Sequence, residues 1–180
     1  MGLRAYGVAV LTATTALWLM SVPRREHPLL PDESPESVRT LESAVASERS
    51  DTAKTVELAL AYLDARQPGL AVALVEAAPA AARSDVRLQH VYARALIDQG
   101  RNDQALAVER NVVGACRSVA EATETPAAVG CDSLLLASAI RRTSILGELV
   151  SLGVRDAQAH PEQARIAYRN ATREARVMVQ

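Results

Sequence analysis

TAKTVELALAYLDARQPGLAVALVEAAPAAARSD, residues 52–85, is followed at once by VRLQHVYARALIDQGRNDQALAVERNVVGACR, residues 86–117, and the two stretches carry one pattern twice. In the first, Leu58, Ala59, Tyr62 and Leu63 recur at helical spacing. Gln67, Pro68 and Gly69 then interrupt the pattern, and Ala71, Leu74, Val75 and Ala78 form a second apolar face. In the second, Val91, Tyr92, Ala95 and Leu96 make one face, Gly100, Arg101 and Asn102 the break, and Ala105, Leu106, Val108 and Val112 the next. Ser50–Asp51 and Ser84–Asp85 stand where helix caps are needed. The offset from Ala61 to Ala95 is repeated from Tyr62 to Leu96 and from Ala71 to Ala105. Each stretch reads as a helix, a tight turn and a second helix.

Composition points the same way. Alanine is about one residue in five, aromatics are 3% and phenylalanine is absent. A core of Ala, Leu and Val must pack closely, which helical hairpins allow and sheets, built on β-branched and aromatic side chains, do not. The formal net charge of −1 leaves no basic excess for phosphates, so nucleic acid is not an expected partner. Lys54 is the only lysine among the cations. With the alanine content, that arginine bias points to a GC-rich bacterial genome.

N-terminal to the hairpins, Ala5–Pro23 carries no charge and is flanked by Arg4, Arg24 and Arg25. As a helix it would span roughly 28 Å, near the thickness of a bilayer core, and Trp18 would lie at an interface. An uncleaved signal anchor over residues 1–25 is the expectation. A cleaved signal peptide competes with it, Thr14 and Ala16 giving a loose cleavage spacing, and a buried helix is the third reading. The flanking arginines nearly balance, so orientation stays open. Residues 26–37, with Pro28, Pro31 and Pro35, read as an extended linker, and Ser34–Pro35 as a start signal for a short helix to about Arg49. The helical domain is expected over residues 38–180.

Downstream, Asp132 is positioned to cap a long helix that carries the apolar run Leu134, Leu135, Leu136, Ile140, Ile145, Leu146, Leu149, Val150 and Leu152 and stops at Gly153, and Pro161 opens a last helix. Residues 132–178 thus read as a degenerate third hairpin. Cys116 and Cys131 are the only cysteines and flank a polar loop. Paired, they would close a loop worth roughly 3 kcal/mol and fit an oxidising compartment. Two unrelated small core residues are the other reading.

A helix–turn–helix period of about 34 residues, with small residues at set positions, resembles the tetratricopeptide family. Leu58, Ala59, Tyr62, Ala71 and Ala78 follow its large–small–aromatic–Ala–Ala series, and Tyr92, Ala93, Leu96, Gly100 and Ala105 repeat it, with Val112 in place of the last Ala. The family's first aromatic is replaced by Thr55 and Gln89, and its closing Pro is missing from both units. The resemblance implies an all-α fold of antiparallel hairpins stacked as a short solenoid. It also implies a partner-binding groove lined by the first helix of each hairpin. Carried over by position, that groove takes Val56, Leu60 and Asp64 from residues 52–85, and Arg87, His90, Arg94 and Asp98 from residues 86–117. Arg87, His90 and Arg94 share one helix face at i, i+3, i+7, and two guanidinium forks there suit a carboxylate on a partner. An ordinary solvated charged face is the alternative.

No metal-ligand spacing joins His27, His90 or His160 to other donors, and no nucleophile-elbow, phosphate-loop or dinucleotide motif occurs. The sequence therefore reads as a non-enzymatic, cofactor-free scaffold or assembly factor, tethered by a single pass to an inner membrane with its helical domain in the periplasm. It would bind a protein or peptide. The alternatives are secretion after signal cleavage and, for function, a structural or self-associating subunit of an envelope complex.

Overall fold

A computed structural model describes residues 35–121, 130–157 and 159–177. They belong to the second of the chain's two compact units, Glu33–Gln180. The apolar Ala5–Pro23 stretch and the proposed linker up to Ser34 lie outside the described residues. The first helix opens at Pro35, where the Ser34–Pro35 start signal placed it, so the last three residues of the 26–37 range, Pro35, Glu36 and Ser37, are helical.

Among the described residues the fold is all-α, with eight helices: α1 Pro35–Ser47, α2 Thr52–Asp64, α3 Pro68–Ala77, α4 Ala80–Arg83, α5 Val86–Asp98, α6 Asn102–Glu121, α7 Ser133–Ser151 and α8 Pro161–Val177. None of them is long and apolar enough to cross a membrane.

One offset relates the two hairpins. It carries the start of α2 at Thr52 to the start of α5 at Val86, and the end of α2 at Asp64 to the end of α5 at Asp98. The same offset carries the start of α3 at Pro68 to the start of α6 at Asn102. Their local chemistry matches. The Asp51 side chain accepts from the Lys54 amide at the start of α2, and Asp85 accepts from the Arg87 and Leu88 amides at the start of α5. At the other ends, the Gln67 amide returns to the Tyr62 carbonyl and the Arg101 amide to the Leu96 carbonyl. The residue before each amide is left-handed: Gly100 with φ +72°, and Arg66 with φ +59°. Helix α7 closes in the same way, with Gly153 at φ +67° and the Val154 amide on the Leu149 carbonyl. These three helices thus share one C-terminal motif, and only α2 makes it without glycine.

Small residues set the helix spacing. Ala59, Ala71, Ala93, Ala95, Ala105, Ala139 and Ala167 are fully buried, so neighbouring backbones approach closely. Helix α5 packs on α2, α3 and α6, α7 on α6 and α8, and α1 on α2. The main core runs from Val45 to Ala167, and a smaller cluster of Val86, Val112, Cys116 and Ala139 lies where α5, α6 and α7 meet. Asn102, buried at the head of α6, donates to the carbonyls of Val154 at 2.8 Å and Arg155 at 3.1 Å, which ties the α7–α8 connection to the α5–α6 turn.

Two features depart from simple repetition. The short α4, with Ala82 buried, is inserted between α3 and α5. Helices α7 and α8 do not continue the offset that relates the first two hairpins. Nor is the apolar run of α7 all core: Leu134 is 80% exposed, and Ile140 and Leu152 are also open to solvent.

Candidate functional site

The residues that the sequence placed in a groove have different environments. Arg87 turns back along its own helix start. Its Nη2 lies 2.8 Å from Asp85 Oδ2 and its Nε 3.2 Å from Oδ1. Burial pushes the Asp85 carboxyl up, but the side-chain and backbone hydrogen bonds from Arg87 outweigh it and hold the group below its usual range. Gly130 sits against the Arg87 methylenes, so that a Cβ there would be 2.8 Å from Arg87 Cγ. Arg94 reaches across to α2, with Nη2 3.4 Å from Asp64 Oδ1 and both side chains about half exposed. Leu60 is half-buried against the main core, as is Val56. Asp98 is exposed at the end of α5.

His90 turns inward. Its Nδ1 is 2.9 Å from the carboxylate of Glu109 on α6, and its Nε2 is 3.2 Å from Ser138 Oγ on α7. The Glu109 side chain is wholly buried. From α7, Arg142 places Nη1 2.7 Å from Glu109 Oε1 and 2.9 Å from the His90 carbonyl oxygen. A carboxylate only accepts, so Nδ1 carries a proton toward Glu109. The cluster ties α5, α6 and α7 together through one buried negative charge, which is tolerable inside a protein only because it is paired and hydrogen-bonded.

Glu109, Arg142 and Ser138 were not among the expected site residues, although a signal was there. Ala105, Glu109, Val112 and Cys116 form one stripe of α6, and Ala139, Arg142, Leu146 and Leu149 one stripe of α7. An opposite charge interrupts each stripe, and the structure sets the two charges against each other.

Hydroxyl, imidazole and carboxylate stand in the order of an acyl-transfer triad, but the setting does not suit that chemistry. Ser138 lies inside α7, where the backbone amides already serve the helix and leave no oxyanion donors. Glu109 is also shared with Arg142. The arrangement is better fitted to holding helices in register.

Cys116 and Cys131 are joined by a disulfide with their Cα atoms 5.5 Å apart. It pins the start of α7 to the second half of α6, and Gly130, the neighbour of Cys131, is the residue lying on Arg87. The α5 row is therefore covered by the chain itself at Arg87 and His90, and it opens toward Arg94.

Among the described residues no group of three or more His, Cys, Asp or Glu side chains could hold a metal ion. Clefts mark the surface of the described residues. One of about 360 Å³ lies between α1, α2 and the end of α3, walled by Val45, Leu58, Tyr62, Leu74 and Ala78, with Arg49 at its edge. One of about 430 Å³ involves Glu76, Arg83 and Tyr92. A third, also about 430 Å³, gathers Arg66, Asp98 and Gly100 from the two hairpin turns with Asp156.

Comparison with known proteins returns no match, whether to a family model, to a curated protein or to a solved structure.

Proposed function

We propose that this chain is a tetratricopeptide-like interaction scaffold that binds a protein or peptide partner and catalyses nothing. The observation carrying this reading is the correspondence of α2–α3 with α5–α6, whose helix starts, Asp caps, left-handed turns and buried small residues recur at one common offset. Such a correspondence is what stacked helical repeats require. The open contact patch is Leu60 and Asp64 on α2 with Arg94 and Asp98 on α5, and His90 serves the interior. The reading comes from architecture and not from a recognised reactive site.

In the same proposal, the Ala5–Pro23 segment is a single-pass anchor to an inner membrane and the helical domain lies in the periplasm. The Cys116–Cys131 disulfide supports the oxidising side. The test is to place a photo-crosslinking side chain at position 94 or at position 110, in full-length protein in its native membrane. Position 94 is expected to give a discrete adduct that position 110 does not. Equal or absent adducts at both would sink the reading.

A self-associating structural subunit is the second reading, favoured by the exposure of Ile166 and Tyr168 on α8. Light scattering on the solubilised protein separates the two, since a strict monomer excludes self-association.

A further inference from the structure

The cleft between α1, α2 and the end of α3 has largely aliphatic walls, and its polar groups other than Arg49 are already used. Tyr62 donates its hydroxyl to Glu42 Oε1 at 2.7 Å, and Thr55 donates to the Asp51 carbonyl at 2.9 Å. Between them stand Val45, Leu58, Leu74 and Ala78. A space of about 360 Å³ falls within the range of small-molecule sites. Arg49 lines the edge and, among the described residues, has no hydrogen bond or ion pair. Glu42, the anion of the lining, stands on α1 and is held by the Tyr62 hydroxyl, whereas Arg49 lies in the turn that follows α1. The lining therefore joins one unpaired cation to an apolar surface.

We propose that this cleft binds a single aliphatic chain carrying one carboxylate. The carboxylate pairs with the Arg49 guanidinium, and the chain lies over Val45, Leu58 and Leu74. A guanidinium fork matches a carboxylate in shape and charge, while the satisfied walls offer nothing to a polar body. This ligand site is separate from the α2–α5 patch and does not depend on the scaffold reading.

The test uses full-length protein in its native membrane and decanoic acid bearing a diazirine at its tail, with adducts mapped by mass spectrometry. Labelling is expected on the stretch around Tyr62 and Leu74, and it should be displaced by decanoate but not by decanol. Arg49→Gln, an exposed change that leaves helicity intact, should lower labelling about tenfold. Ala78→Phe, which fills the cleft, should abolish it. Labelling that maps elsewhere, that decanol displaces as well as decanoate, or that Arg49→Gln leaves unchanged overturns the proposal. So does displacement by a leucine-terminated peptide and not by decanoate, which would assign the cleft to a protein end.

Discussion

Glu109 of α6 and Arg142 of α7 meet at 2.7 Å, with the carboxylate wholly inside the protein and the guanidinium partly open to water. The pair is a lock between helices and not a large source of net stability, because removing both charges from water offsets much of their attraction. Arg142→Met should therefore destabilise the domain by about 3 kcal/mol, by leaving a buried carboxylate with His90 as its only remaining side-chain partner among the described residues. Glu109→Leu combined with Arg142→Met should recover most of that loss. Denaturant titrations of the two singles and the double supply the cycle, and a double variant as unstable as the sum of the singles would refute this account.

Reducing the disulfide, or replacing Cys116 and Cys131 by Ala, should cost about 3 kcal/mol for a closed loop of this length. The loss should be uneven. Hydrogen exchange is expected to quicken first at residues 130–139, which the bridge pins, and little in α2 and α3. Uniform acceleration across all the helices would contradict a local role for the bridge.

Arg66 holds a left-handed backbone that Gly100 and Gly153 adopt at the matching ends of α5 and α7. Arg66→Gly should relieve the Cβ strain and raise stability by about 1 kcal/mol, net of the greater freedom glycine gives the unfolded chain. Thermal unfolding of the single variant decides it, and a lower midpoint would show that the Arg66 side chain contributes more than its backbone costs.

Tyr62 should shape the alkaline limb of stability. Burial, and then the hydrogen bond to Glu42, push its phenol up to about 12. Since the folded value lies above the unfolded one, near 10, the stabilisation is complete below pH 10 and is lost as pH rises toward 12. Tyr62→Phe should flatten that part of the stability profile, and an unchanged slope would show that Tyr62 does not titrate late.

At the acid end the sign reverses for Asp85. Its folded value lies below the ordinary 3.8, so its contribution is present above that pH and is lost as pH falls through the lower, folded value. Asp85→Ala should remove this acid-side dependence and the α5 cap together, costing about 1 kcal/mol at neutral pH. Denaturant titrations at neutral and acid pH check both effects, and an acid limb that keeps its slope in the variant would assign it to another carboxylate.

Local features of the fold were legible because each has a local cause. Asp51, Asp85 and Asp132 announced helix starts, Gly100 and Gly153 announced stops, and the Ala61–Ala95 and Ala71–Ala105 spacings announced a repeated hairpin. What stayed hidden depends on neighbours distant in sequence. The spacing of Arg87, His90 and Arg94 places them on one face of α5, but it does not say that α7 covers His90 and that Gly130 lies on Arg87. Glu109 and Arg142 each interrupt an apolar stripe, but that the two charges meet is set by the packing of α6 on α7. Leu134 misled in the opposite sense: it belongs to an apolar run yet stands open to solvent, because no described helix covers that part of α7.

The buried Glu109 also bears on how the protein is made. On the ribosome Glu109 emerges well before Arg142, its partner in the lock. During that interval the second hairpin is completed with His90 of α5 as the side-chain partner of the carboxylate and the guanidinium still to come. The face of α6 that packs on α7 is therefore the last side of this core to be closed in chain order.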